Sequence, residues 1–187
     1  MVRKYIFPIT TILVLLFAVH TTNAQNYLVN NAGDAPDNDL TDGVCQTAFG
    51  SCTLRAAIEQ ANADIFISNF IDFSLASGTQ IIINDELLVT DVNMTINADF
   101  GNDGIPDIII AAGAVNINGF HITGANNTIQ GFNLIDFQGP GTNAPILING
   151  GNGNRVISNY IGTDIAGGDF GVGMANFRSI RIINGAQ

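Results

Sequence analysis

The sequence predicts an all-β solenoid of short strands, preceded by one helix. Three observations carry that prediction. Ile/Val runs of three to six residues recur between Gly, Asn and Asp turns from about residue 65 onward. A unit of this grammar repeats along the chain. Outside the N-terminus, a helical apolar stripe occurs once, over residues 53–63. Short strands with a repeat and no repeating helix are the mark of coils that bury their apolar faces by stacking.

The first 24 residues read as a secretory signal peptide. Arg3 and Lys4 form a positive start, an apolar run lies within Tyr5 to Val19, and Thr22-Asn23-Ala24 offers small residues for cleavage before Gln25. The run is short for a membrane span, which takes about 20 apolar residues. Residues 25–75 are expected to form an N-terminal cap and 76–187 the coils. The 163 residues that follow the leader suit one domain. They hold four arginines (Arg55, Arg155, Arg178, Arg181) against sixteen acidic residues, a formal charge of −12. Nucleic-acid binding requires a basic footprint, and this chain has none.

A short strand is expected at Tyr27–Val29, then an Asp- and Asn-rich loop with Asp34, Asp37, Asp39 and Asp42. These acids match no standard calcium spacing and read as a solvated loop. Cys45 and Cys52 are the only cysteines. Two thiols seven positions apart in a secreted chain pair readily. As zinc ligands they would lack a nearby His or third Cys, so a disulfide is the better reading.

Leu54, Ala57, Ile58 and Ala61 fall at i, i+3, i+4 and i+7 and form one helical stripe. Ser51 and Thr53 are both candidate N-caps. Arg55 and Glu59 are four apart and can pair on the exposed side, for about 0.2–0.5 kcal/mol. Such a helix is too short to stand alone, since isolated helices under about 12–15 residues are marginal. It needs something to pack on. The expected role is a lid over the first coil, pinned by the cysteine cross-link.

Strands are expected at 70–75, 80–84, 86–90, 93–97, 107–111, 115–118, 120–123, 127–130, 146–149, 154–159 and 181–184. "FHITGANNTIQGFNLI" (120–135) aligns with "ILINGGNGNRVISNYIG" (146–162), and "IRIINGAQ" (180–187) begins the unit again. Ile122, Ile148 and Ile182 then correspond, at offsets of 26 and 34. Asn84, Asn97, Asn118, Asn149, Asn159 and Asn184 each follow a short strand. Stacking would bring such residues into amide ladders along the coils. The alignment places Gln187 inside a unit, so further coils of a longer chain are expected beyond it.

"CTLRAAIEQANA" (52–63) resembles the CSLREA motif, usually C-S-L-R-E-A-I-x-x-A-N. Cys52, Leu54, Arg55, Ala57, Ile58, Ala61 and Asn62 match; Thr53 stands for Ser and Ala56 for the usual Glu. "DGVC" (42–45) and "NRVISNYIGTDIAG" (154–167) are similar to other segments of that family. The resemblance implies a secreted bacterial right-handed parallel β-helix, with the motif at its N-terminal cap. It does not fix a biochemical function.

Candidate chemistry is sparse. "DFGNDGIPD" (99–107) resembles a calcium loop at Asp99, Asp103 and Asp107, with Gly101 where a ligand is usual. The same residues also make a plain turn. A carbohydrate-active β-helix would need paired carboxylates, or calcium plus a base. Asp136, Asp164 and Asp169, with Arg155, Arg178 and Arg181, are the candidates. Asp136 and Asp164 follow comparable strands, either as a catalytic pair or as a solvated edge row. His121 alternates with Phe120 and Ile122 and reads as an outward strand residue. The favoured function is a non-catalytic, structural, adhesive or glycan-contacting surface protein, with polysaccharide or cell-surface components as partners. The alternatives are a polysaccharide lyase or glycoside hydrolase, and an inactive piece of a larger surface protein.

Overall fold

The computed structural model describes residues 24–64, 68–139, 141–164, 166–168, 176 and 178–186. The leader up to Asn23, Asp169 and part of the loop 163–173 lie outside the described residues. What is described is mostly strand, in parallel sheets, with one short helix. The first sheet runs β1 (Gln25–Val29), β2 (Asn69–Phe73), β5 (Thr95–Asn97), β8 (Thr128–Gln130), β11 (Arg155–Ile157). The second runs β3 (Thr79–Ile83), β6 (Ile108–Ala112), β9 (Phe132–Ile135), β12 (Tyr160–Ile161). The third runs β4 (Leu87–Val89), β7 (Phe120–Ile122), β10 (Ile146–Asn149), β13 (Ile180–Ile183). From β2 onward the chain visits the three sheets in strict rotation, so each turn adds one strand to each sheet. This is a parallel, solenoid-like all-β fold.

Register aligns the inward residues into rows. Ile71, Ile96, Ile129 and Val156 stack in the first sheet. Ile81, Ile110, Leu134 and Ile161 do so in the second. Val89, Ile122, Ile148 and Ile182 do so in the third. The Ile122–Ile148–Ile182 correspondence read from the repeat is therefore the observed register. These short strands need β-branched residues because each contributes only one or two side chains to the core, and branched chains fill a pleated surface well. Phe120 and Phe132 fill the centre, with ring centroids 5.0 Å apart.

The connections are unequal. Between the third and first sheets every linker has five residues: 90–94, 123–127 and 150–154. At the corner between the first and second sheets, β8 and β9 are joined by Gly131 alone, whereas β5 and β6 are joined by 98–107. The constant corner is tightly stacked. A Cβ on Gly124 would lie 1.7 Å from the Asp91 carbonyl oxygen, and one on Gly151 would lie 2.1 Å from the Gly124 oxygen. Glycine is required there because one backbone crosses another.

Residues 115–118, expected as a strand, form a turn and irregular chain instead. Asn116 takes a left-handed conformation (φ 62°), which ends any strand there.

Candidate functional site

The helix α1 (Leu54–Ala63) begins at Thr53, whose hydroxyl accepts from the Ala56 N–H at 3.1 Å and donates to the Ala35 carbonyl at 2.6 Å. Leu54, Ala57, Ile58 and Ala61 are buried, as the stripe predicts. Ala56 and Gln60 are fully buried too. The predicted stripe is thus too narrow, because the helix is also covered by the N-terminal loop: Gln60 Nε2 donates to Leu40 O, and Glu59 accepts from the Asp37 N–H at 2.8 Å. The Arg55–Glu59 pair that the spacing allows does not form. Arg55 Nε and Nη2 bind Asp34 at 2.9 Å, and its Nη1 and Nη2 donate to the carbonyls of Glu86 and Asp85.

Arg55 and Asn62 are two helical turns apart and so share a face. β4 is the terminal strand of its sheet, and the two side chains grip it at either end. Asn62 Nδ2 donates to Leu88 O at 2.7 Å, and its Oδ1 accepts from the N–H groups of Thr90 and Asp91. A sheet edge otherwise presents a row of unpaired peptide groups. Arg55 and Asn62 occupy those groups as a neighbouring strand would. Cys45 and Cys52 form a disulfide with Cα atoms 5.3 Å apart, directly before the helix.

From Asn62 a polar column, buried at Asn69, Asp91 and Asn127, runs along the constant corner. Asn69 Nδ2 donates to Asp91 at 2.7 Å and to the Ala61 carbonyl. Asn127 Nδ2 donates to Asp91 O, and its Oδ1 accepts from the Met94 N–H. Asn154 Oδ1 accepts from the Asn127 N–H, and its Nδ2 donates to Gly124 O and Gly151 O. Asp91 is 1% exposed, and burial pushes its carboxyl above the usual range against the opposing pull of its Asn69 and Val92 bonds. The asparagines expected to form ladders behave more diversely. Asn149 and Asn184 do join amide to amide. Asn118 and Asn159 link coils through backbone groups, accepting from Ala144 N–H and Phe132 N–H.

A second chain of polar groups lies on the outer face of the third sheet. His121 Nδ1 meets Glu86 Oε1 at 2.8 Å, and Asn118 donates to the other Glu86 oxygen at 2.9 Å. His121 Nε2 meets Asn149 Nδ2 at 3.0 Å. Because Asn149 Oδ1 is taken by Asn184, its NH2 faces the ring. This arrangement suits a ring that accepts at Nε2 and donates from Nδ1 to Glu86. His121 points outward, as read from its alternation. Its carboxylate partner, 35 residues away, has no local signal in the sequence.

Among the described residues the remaining candidates do not converge, and Asp169 lies outside them. Asp99 is buried and accepts from the N–H groups of Asp103 and Gly104. Asp103 accepts from Ile105 N–H and Asp107 from Phe100 N–H. The carboxylates proposed as calcium ligands thus cap their own turn. Among the described residues no three His, Cys, Asp or Glu side chains gather where a metal could sit. Asp164 caps its own loop through Ala166 N–H and Gly168 N–H. Leu134 pairs with Ile161, the last couple of that ladder, and Asp136 lies beyond it in a left-handed conformation (φ 65°). Arg178 and Arg181 bond the carbonyls of Gly141 and Thr142, and Arg155 is exposed. Among the described residues no helix is long and apolar enough to cross a membrane.

No family model matches this chain, and no curated protein or solved structure matches it either.

Proposed function

We propose that the chain is a secreted, non-catalytic, right-handed parallel β-helix of a bacterial cell surface, built on a CSLREA-type N-terminal cap. It acts as a rigid acidic scaffold for adhesion or glycan contact. The observation that carries this reading is the employment of its chemically capable side chains. Asp99, Asp103, Asp107 and Asp164 bond their own turns. Both nitrogens of His121 and both oxygens of Glu86 are engaged between coils. Groups spent on stacking serve stability. The disulfide supports an oxidising compartment. Binding to purified cell-wall glycans, measured by surface resonance, tests the reading; no binding to any glycan or cell-surface fraction would reject it.

A carbohydrate-active enzyme is the second reading, and one observation favours it. An imidazole whose Nδ1–H is held by a carboxylate is the arrangement of an oriented general base. Its Nε2 would have to exchange Asn149 for substrate. Cleavage of acidic polysaccharides, assayed with and without calcium and lost in His121→Ala or Asp164→Asn, would establish this reading and displace the first.

A further inference from the structure

The chain holds four Asn–Gly pairs: Asn118–Gly119, Asn149–Gly150, Asn152–Gly153 and Asn184–Gly185. In such a pair the glycine peptide nitrogen can attack the asparagine side-chain carbonyl carbon, because glycine has no side chain to block the approach. The attack needs an amide free to swing over its own backbone and a peptide N–H free of other bonds. The fold treats the four pairs differently on both counts. Asn118 is held at both ends, since its Nδ2 donates to Glu86 and its Oδ1 accepts from the Ala144 N–H. Gly119 N–H donates to Ala144 O at 3.0 Å. Asn149 is held between His121 and Asn184, and Gly150 N–H donates to Ile183 O at 3.2 Å. Asn184 is exposed, but its Nδ2 is held by Asn149. Asn152 and Gly153 are both exposed, and among the described residues neither the Asn152 amide nor the Gly153 N–H has a hydrogen-bond partner.

We propose that Asn152–Gly153 is a self-modification site of the folded protein. Gly153 N bonds to Asn152 Cγ, the Cγ–Nδ2 bond breaks, and the amide departs with the Gly153 proton as ammonia. Water then opens the resulting imide ring at either of its two C–N bonds. One opening yields aspartate. The other yields isoaspartate, in which the main chain runs through the former side chain and gains a methylene. Both products add a negative charge. The pair lies in the linker 150–154, one of the three whose length does not vary. There Gly151 packs against the Gly124 carbonyl, and Asn152 O accepts from the Asn126 N–H at 2.9 Å. A longer main chain at residue 152 displaces that carbonyl, so the modification loosens this corner of the stack.

Folded protein and protein unfolded in guanidinium, incubated side by side at mildly alkaline pH, test this when each asparagine is followed by peptide mass spectrometry. In the unfolded chain the four pairs convert at similar rates. In the folded chain Asn152 is expected to convert about ten-fold or more faster than Asn118 and Asn149, which must first break two or more hydrogen bonds. The aged protein should melt at a lower temperature than the fresh protein. Asn152→Gln loses no bond, because the Asn152 side chain makes none, and its longer side chain would have to close a larger ring. Aged in parallel, this variant should keep its midpoint. Asn152 left intact under conditions that convert the unfolded chain overturns the proposal, and so does conversion of Asn118 or Asn149 at the same rate. An aged midpoint equal to the fresh one overturns the effect on the corner.

Discussion

Asn62 holds three peptide groups of a terminal strand with one side chain. Alanine there leaves Leu88 O and the N–H groups of Thr90 and Asp91 to water or to nothing. Losing such bonds costs about 1–3 kcal/mol where the groups stay shielded. Asn62→Ala should lower the urea midpoint accordingly, with an unchanged slope; an unchanged midpoint would show that the grip is incidental. Asp91 makes a different prediction. Burial holds its folded pKa above the unfolded value. The folded state therefore binds this proton more tightly, and the group's stabilising contribution is complete below the unfolded pKa. It is lost as pH rises through the folded pKa. Thermal midpoints of wild type and Asp91→Asn, compared from neutral pH downward, should converge on neutral-form behaviour in acid. Wild type should show the added acid-side gain that the variant lacks. At this scale the sequence spoke unevenly. Asn62 lies on the helix that the apolar stripe marks, but Asn69, Asn127 and Asn154 look like any turn asparagines. Their roles depend on partners about 22 to 36 residues away, and no local pattern encodes that distance.

α1 shows what an element-level pattern can and cannot carry. Its apolar stripe was legible because 3.6-residue periodicity reports one buried face. The second buried face, made of Ala56 and Gln60, was hidden. A small residue and an amide match no apolar template, and the loop that covers them is polar. The disulfide was legible from the spacing, the secretory leader and the lack of further metal ligands nearby, and it closes a short loop at the helix start. In the chain-entropy account a loop of this size is worth about 2–3 kcal/mol. Reduction, or a Cys45→Ser/Cys52→Ser pair, should lower stability by that amount in a denaturant titration. It should also expose amides of α1 and β4 to hydrogen exchange before those of β8 and β9. Uniform loss of protection would show that the cap and coils melt as one unit. The strand at 115–118 failed for a simple reason: alternating Val and Ile also occurs in a loop that must turn at Asn116.

Over the whole molecule, the stacking order was legible from repetition, since the aligned isoleucines of three units are neighbours in the sheet. The sidedness of the stack was not. One corner is fixed in length and packed with glycine and asparagine, while the other two vary. Gly124→Ala would drive a methyl into the Asp91 backbone. It should cost at least about 3 kcal/mol, in the range of severe overpacking. Gly78→Ala, with nothing within 4 Å of its Cβ, would meet only its positive φ and serves as the milder control. Equal losses in calorimetry would refute the idea that the corner is set by backbone contact. The unequal corners also bear on how such a chain can change over generations. Insertions at 98–107 or 113–119 lengthen linkers whose lengths already differ, and leave the column from Asn62 to Asn154 untouched. One extra residue within 123–127 would shift every later coil. Novelty, whether arisen by descent or grafted by hand, is therefore confined to two flanks of the molecule, with the third as the spine that must be copied without error.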